Sequence, residues 1–168
     1  MADGAYETAL RARFGFGMQI IVHDRAPVPT EALRQLEAAQ VTDIDHLLGQ
    51  ADVVSLHCRA ETGTRHLIDA LRLNHMKPDA ILINTASSQL LDEEALVDAL
   101  WFDTIAGAGL LACAGEPPLG QRLQACENTM VLPHTNGLTG QDGKPANHAG
   151  FAGLPGLDRD GTPLECVA

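Results

Sequence analysis

The sequence predicts an α/β protein built on a parallel sheet with helices on both faces, and three observations carry that prediction. Short runs rich in Val, Ile and Leu recur along the chain. Helical patterns stand between them, and strands that alternate with helices imply parallel pairing with both faces covered. A length of 168 residues with 45% apolar content is enough for one domain with a real core and too little for two ordinary ones.

In chain order, the spacing predicts a strand over Gln19–His23, a helix over Thr30–Ala39, a strand over Val53–His57 and a helix over Asp69–His75. It continues with a strand over Ala80–Asn84, a helix from Glu93, and strands over Thr104–Ala108 and Met130–Leu132. The stretch 81–96 shows how local the instructions are: a buried strand, a small-residue turn from Asn84 to Gln89, then a helix opening. Asp92 can cap that helix, Glu93 and Glu94 suit its positive end, and Leu91 with Leu96 hold the two positions of a hydrophobic staple. Leu96, Val97, Leu100 and Trp101 then share a face expected to pack on the sheet, which makes Trp101 a core residue. From Thr135 the chain turns rich in glycine, with Pro145 and Pro155 interleaved, so residues 138–168 are expected to form a loop-rich or disordered Gly/Pro tail behind a domain at 1–137.

Charge and cysteine usage exclude several function classes. Twenty-two acidic residues against 11 Lys and Arg leave −11, which repels a phosphate backbone or an anionic membrane. No nucleic acid partner is expected. The N-terminus lacks a basic region followed by an apolar core, and no apolar run approaches the roughly 20 residues of a membrane span. A soluble, cytoplasmic protein is expected. Cys58, Cys113, Cys126 and Cys166 are scattered, with no Cys-x-x-Cys pair and no His at ligand spacing, so reduced thiols and no metal site are expected.

Asp24 ends the first visible strand, where a dinucleotide-binding fold places the carboxylate for the adenosine ribose. That fold also needs a glycine-rich turn about 20 residues earlier, behind a strand of its own, and almost nothing precedes Asp24 here. An Asp after a strand is, taken alone, more often a turn residue.

The wording of the chain says more than its pattern. Gly15-Phe-Gly-Met18 leading to Asp24, Ala51-Asp-Val-Val-Ser-Leu-His-Cys58, Thr64-Arg-His-Leu-Ile68, Met76-Lys-Pro78 and Ile81-Leu-Ile-Asn-Thr-Ala86 occur in one order. Asp92-Glu-Glu-Ala-Leu96, Ile105-Ala-Gly-Ala-Gly-Leu110, Gly115-Glu-Pro-Pro118 and Leu132-Pro-His134 complete the series. Together they resemble the cofactor domain of the D-isomer-specific 2-hydroxy-acid dehydrogenases over roughly residues 10 to 137. The resemblance implies a Rossmann-like doubly wound sheet, lacking the usual first strand and glycine-rich turn, so that another chain fills the empty slot or the remaining strands close up. It also implies NAD as cofactor, a small 2-hydroxy or 2-keto acid as substrate, and a homodimer.

By motif position, His134 matches the acid/base of that family and Glu116 the carboxylate that orients and charges it. Such a carboxylate on one imidazole nitrogen favours the protonated ring, leaving the other nitrogen to give or take a proton as hydride moves. Taken without the resemblance, the same two residues read as a Pro-His turn and a solvated Glu. The resemblance places Asp24, His57, Cys58, Thr64, Thr85 and Ala86 against the cofactor.

Three positions depart from the family. Ser87 stands where an Arg directly after Asn-Thr-Ala would clamp the substrate carboxylate, and a hydroxyl cannot supply forked, charge-assisted bonds. Leu111 replaces the acid of Gly-Leu-Asp beside the nicotinamide carboxamide. The fingerprint glycines should fall at Met1, Asp3 and Tyr6, and none is Gly. Arg59 stands where the family commonly has Pro, at the lip of the crevice, and reads first as a solvated side chain. Two function classes therefore remain: a truncated dehydrogenase with weak or lost activity, or a non-catalytic nucleotide-binding or dimerisation module. A fragment without a selected role is the dullest reading of the same residues.

Overall fold

The structure, a computed structural model, describes residues 3–111, 119–132 and 165–167. The chain opens with α1 (Asp3–Phe16), followed by β1 (Gln19–Val22), α2 (Thr30–Leu36), β2 (Ala39–Gln40), α3 (Ile44–Gln50) and β3 (Val53–Leu56). Next come α4 (Ala70–His75), β4 (Ile81–Asn84), a single 3₁₀ turn at Ser88–Leu90, α5 (Glu93–Trp101), β5 (Gly107–Leu111), α6 (Leu119–Ala125), β6 (Thr129–Leu132) and β7 (Glu165–Val167). Among the described residues, seven strands pair in parallel in the order β2-β1-β7-β3-β4-β5-β6. The doubly wound α/β sheet expected from the sequence is present.

One expectation about that sheet is corrected. The slot between β1 and β3 is filled neither by closing up nor by another chain: Glu165–Val167 enters it, pairing Gln19 with Glu165 on one side and Val53 with Cys166 on the other. Parallel strands need both edges paired when helices cover both faces, because a buried N–H or C=O without a partner is costly. The segment from Thr135 is thus not loop throughout, since its described residues form a strand.

Helix starts follow local rules. Asp43, Asp69 and Asp92 each stand at an N-cap, accepting from the backbone N–H of Asp45, Arg72 and Ala95 respectively. Leu91 and Leu96 are both buried, as a staple across the start of α5 requires. Trp101, however, is 68% exposed rather than core. At about 100° per residue, the buried arc of α5 runs from Ala99 through Leu96 and Leu100 to Val97, and position 101 falls roughly 120° from its middle.

Helix and strand ends differ from expectation for a related reason. Glu37 adopts the left-handed conformation at φ 51°, closing α2 at Leu36 and releasing Ala39 and Gln40 to pair with Ile21 and Val22. Asp103, at φ 54°, does the same beyond α5, so β5 begins at Gly107 rather than Thr104. Helix α1 carries its buried face on Ala5, Ala9 and Ala12, without the large apolar stripe that marks a helix in sequence.

The core divides at the sheet. Ala9, Ala12, Ile20, Val22, Val28 and Leu36 pack around α1, β1 and α2, while α3 to α6 share a larger cluster that includes Leu48, Val54, Leu82, Leu96 and Ile105. Asn128 O approaches β5 so closely that a Cβ at Gly107 would lie 2.8 Å from it, whereas a Cβ at Gly109 meets nothing nearer than Ile83 Cγ1 at 4.0 Å. Gly107→Ala is expected to cost roughly 1–3 kcal/mol in urea unfolding by overpacking against backbone. Gly109→Ala, the control, should stay within about 0.5 kcal/mol.

Candidate functional site

The C-terminal ends of β1, β3 and β4 open onto one edge of the sheet, and each is followed by a loop that its own polar groups shape. After β1, the Asp24 carboxylate accepts from Ala26 N–H at 3.0 Å, closing a turn with Arg25 at its tip. That hydrogen bond is the main reason the Asp24 carboxyl titrates below its ordinary range. Gln40 of β2 holds the next residues from both ends of its amide, donating to Ala26 O at 3.1 Å and accepting from Val28 N–H at 3.0 Å. The loop after β1 is therefore anchored to its neighbouring strand.

After β3, the His57 ring lies 2.9 Å through Nε2 from the buried Ser55 hydroxyl. Burial pushes the His57 pKa down, which keeps the ring neutral. Burial also pushes the Cys58 thiol up, opposed in part by a backbone hydrogen bond, with smaller influences from the charges of Arg25, Asp24 and Glu61. Thr64, only 6% exposed, organises the rest of the loop. Its hydroxyl donates to Arg59 O at 2.7 Å and accepts from Glu61 N–H at 2.9 Å, so a residue assigned by resemblance to the cofactor spends its polar group on the loop. Glu61, presented in this way, forms an ion pair with Arg25 across the two loops.

After β4, the turn Asn84–Gln89 is built by Asn84 itself. Buried, its side chain donates to Ser87 O at 2.7 Å and accepts from Ala86 N–H at 3.1 Å and Ser87 N–H at 3.3 Å. Thr85 and Ala86 are left exposed on the outside of the turn. The Ser87 hydroxyl accepts from Gln89 N–H at 3.3 Å and so caps the 3₁₀ turn behind it. From Asn84 to Leu90 the turn holds no cationic side chain.

Asp24, His57, Cys58, Thr64, Thr85 and Ala86 thus share one sheet edge. Glu116 and His134 lie outside the described residues, as does any contact between them. The last described residues before them, Leu111 and Leu132, are register partners at that same edge. Sequence reasoning placed the turn at Asn84 without the side-chain bonds that build it, and missed Arg25 and Glu61; the signal for Arg25 was its place beside Asp24, while Glu61 carried none. Among the described residues, no helix is long and apolar enough to cross a membrane.

Comparison with known proteins gives the same ancestry by three routes. Residues 4–136 match the family described as D-isomer specific 2-hydroxyacid dehydrogenase, NAD binding domain. A glyoxylate reductase of Thermococcus litoralis is 40% identical over 131 residues, covering 78% of this chain and 39% of its own length. The crystal structure of a glyoxylate reductase from Paecilomyes thermophila superposes with a TM-score of 0.71 at 40% identity, over 79% of this chain and 39% of that one. That of D-lactate dehydrogenase with NAD+ from Lactobacillus jensenii gives 0.68 at 28% identity, over 80% and 47%. The chain spans about two fifths of the length of the relatives it matches.

The neutral His57 has a measurable consequence. Its pKa lies below the usual 6.5 because the folded state disfavours the charged ring. As pH falls through 6.5 the unfolded chain takes up a proton first, so folding stability should decline on acidification until the folded ring also titrates. Imidazole NMR should show a His57 midpoint below the usual 6.5, and His57→Gln should remove this part of the pH dependence of urea unfolding.

Proposed function

This chain belongs to the D-isomer specific 2-hydroxyacid dehydrogenase family through its NAD-binding domain, and from that premise we propose that it is a cofactor half of such an enzyme, weak or inactive in reducing 2-oxo acids by itself. The observation that carries the reading is the convergence of the Asp24, His57 and Asn84 loops at the edge of the sheet where the strand order reverses, beside β7. Crevices at such a reversal take dinucleotides.

The residues present fit NAD unequally. At the adenosine end, Asp24 follows β1 and its turn is anchored by Gln40, which supports a hold on the ribose hydroxyls. At the phosphate end, α1 begins at Asp3, and none of the three fingerprint positions is Gly. Two or three lost charge-assisted bonds at about 1.5–3 kcal/mol each lower affinity by roughly a hundredfold at the least. Bound NAD would supply the hydride acceptor, and NADH the donor. His134 would hold the proton exchanged with the substrate oxygen, and Glu116 would keep its ring oriented and charged. Ser87 supplies no cation for a carboxylate, a loss worth on the order of a hundredfold or more in rate. A small 2-oxo acid such as glyoxylate as substrate, a second copy of the chain as partner and the cytoplasm as location belong to the same proposal, since they follow from the family.

Because Ser87, Leu111 and the missing glycines remove different interactions, repairing one leaves the others limiting. The purified chain is expected to show no more than trace NADH oxidation with glyoxylate, pyruvate or hydroxypyruvate, and Ser87→Arg alone should not rescue it. Absorbance of the reduced cofactor, read against a His134→Ala control, checks this. Robust turnover that His134→Ala abolishes would overturn the proposed impairment, and another group would then have to hold the carboxylate.

A further inference from the structure

Arg25 and Glu61 are the two charged side chains joined across the loops that follow β1 and β3. Arg25 occupies the tip of the turn closed by Asp24, so its backbone position is set directly beside the carboxylate assigned to the ribose. Glu61 is held from the other side. Its N–H donates to the Thr64 hydroxyl, and its carbonyl accepts from the N–H groups of Thr64 and Arg65 at 3.0 and 3.1 Å. Both ends of the ion pair therefore sit on fixed backbone.

The adenosine end of the crevice faces a choice between two ribose chemistries. A ribose with a free 2′-hydroxyl suits a carboxylate acceptor, whereas a 2′-phosphate needs a cation, and an Arg beside the ribose site is the side chain that supplies one. Arg25 has the right neighbour and the right charge for that second role. Its side chain is 75% exposed, yet its guanidinium is turned onto Glu61.

We propose that Glu61 is a specificity-determining residue: by engaging Arg25 it withholds the guanidinium from a ribose 2′-phosphate and leaves the crevice selective for the unphosphorylated dinucleotide. This rests on the reading of the sheet edge as a cofactor crevice. Asp24 opposes a 2′-phosphate by its own charge, and Glu61 adds a second barrier that Asp24 cannot account for. Since Glu61 is itself 48% exposed, the pair is partly screened and its contribution is modest and salt-sensitive.

Isothermal titration of the whole chain with 5′-AMP and with 2′,5′-ADP, at low ionic strength, tests the proposal without catalysis. Glu61→Gln should tighten 2′,5′-ADP by roughly two- to fivefold, the range expected for releasing an exposed charge pair, and leave 5′-AMP nearly unchanged. Adding Arg25→Gln should return the ratio to that of the unmodified chain, and high salt should shrink the gain. The fold of the loop depends on the Glu61 backbone and Thr64, so these side-chain changes leave it in place. An unchanged ratio in Glu61→Gln, or a gain that survives removal of Arg25 and so belongs to Arg59 or Arg65, would overturn the role of Glu61 while keeping the crevice. Failure of every variant to bind either nucleotide would overturn the crevice reading and this inference with it.

Discussion

The pairing of β7 with both β1 and β3 is the constraint on which the rest of the molecule depends. Among the described residues, β1 and β2 join the larger sheet only through that strand, and Val167 is register partner to Ile21 on one side and Val54 on the other. The two registers fix how far the end of β1 stands from the end of β3. Every distance across the crevice, from the Asp24 turn to the His57 loop and the Arg25–Glu61 pair, inherits that spacing. Three residues suffice because backbone hydrogen bonds in a parallel ladder do not depend on which side chains supply them. What they must supply is an extended segment in the right place.

Around that frame, short polar side chains shape the loops. Asp24 and Asn84 each accept from the N–H two residues on, and Asp43, Asp69 and Asp92 satisfy the first N–H groups of the helices behind them. Gln40 and Thr64 work at longer range, each satisfying groups on a loop that would otherwise need water. Such groups are committed to structure first. In Thr64 a buried hydroxyl is already engaged within its loop, where it fixes the position of Glu61.

Much of this was legible in the sequence, and the limits have physical causes. The strands at 19–22, 53–56, 81–84 and 129–132 announce themselves because each is a compact apolar run. Helix α1 is silent because alanines bury its face, and β7 is silent because a strand of three residues behind a run of glycines and prolines leaves no periodicity to read. The ends of α2 and β5 move because Glu37 and Asp103 take left-handed conformations usually given to Gly or Asn. Trp101 leaves the core because a helix face drawn from sequence takes in one residue too many. Asp24 and the Asn84 turn come from local chemistry, while the Arg25–Glu61 pair, thirty-six positions apart in sequence, needs the tertiary register to exist at all.

The loops along this sheet edge differ in what they carry: the loops after β1 and β3 hold a charge pair, whereas the turn after β4 holds no cationic side chain. In the loops after β1 and β3 the charged groups Arg25 and Glu61 are present, paired and carried on anchored backbone. The turn after β4 keeps its geometry through Asn84, while the Ser87 hydroxyl accepts from Gln89 N–H and caps the 3₁₀ turn. Geometry and charge are thus separable in this fold. Buried hydrogen bonds hold a turn whether or not a cation projects from it, because removing a solvent-facing side chain leaves no buried partner unsatisfied. The shape of the Asn84 turn is therefore set by its own hydrogen bonds and is independent of the charge it carries.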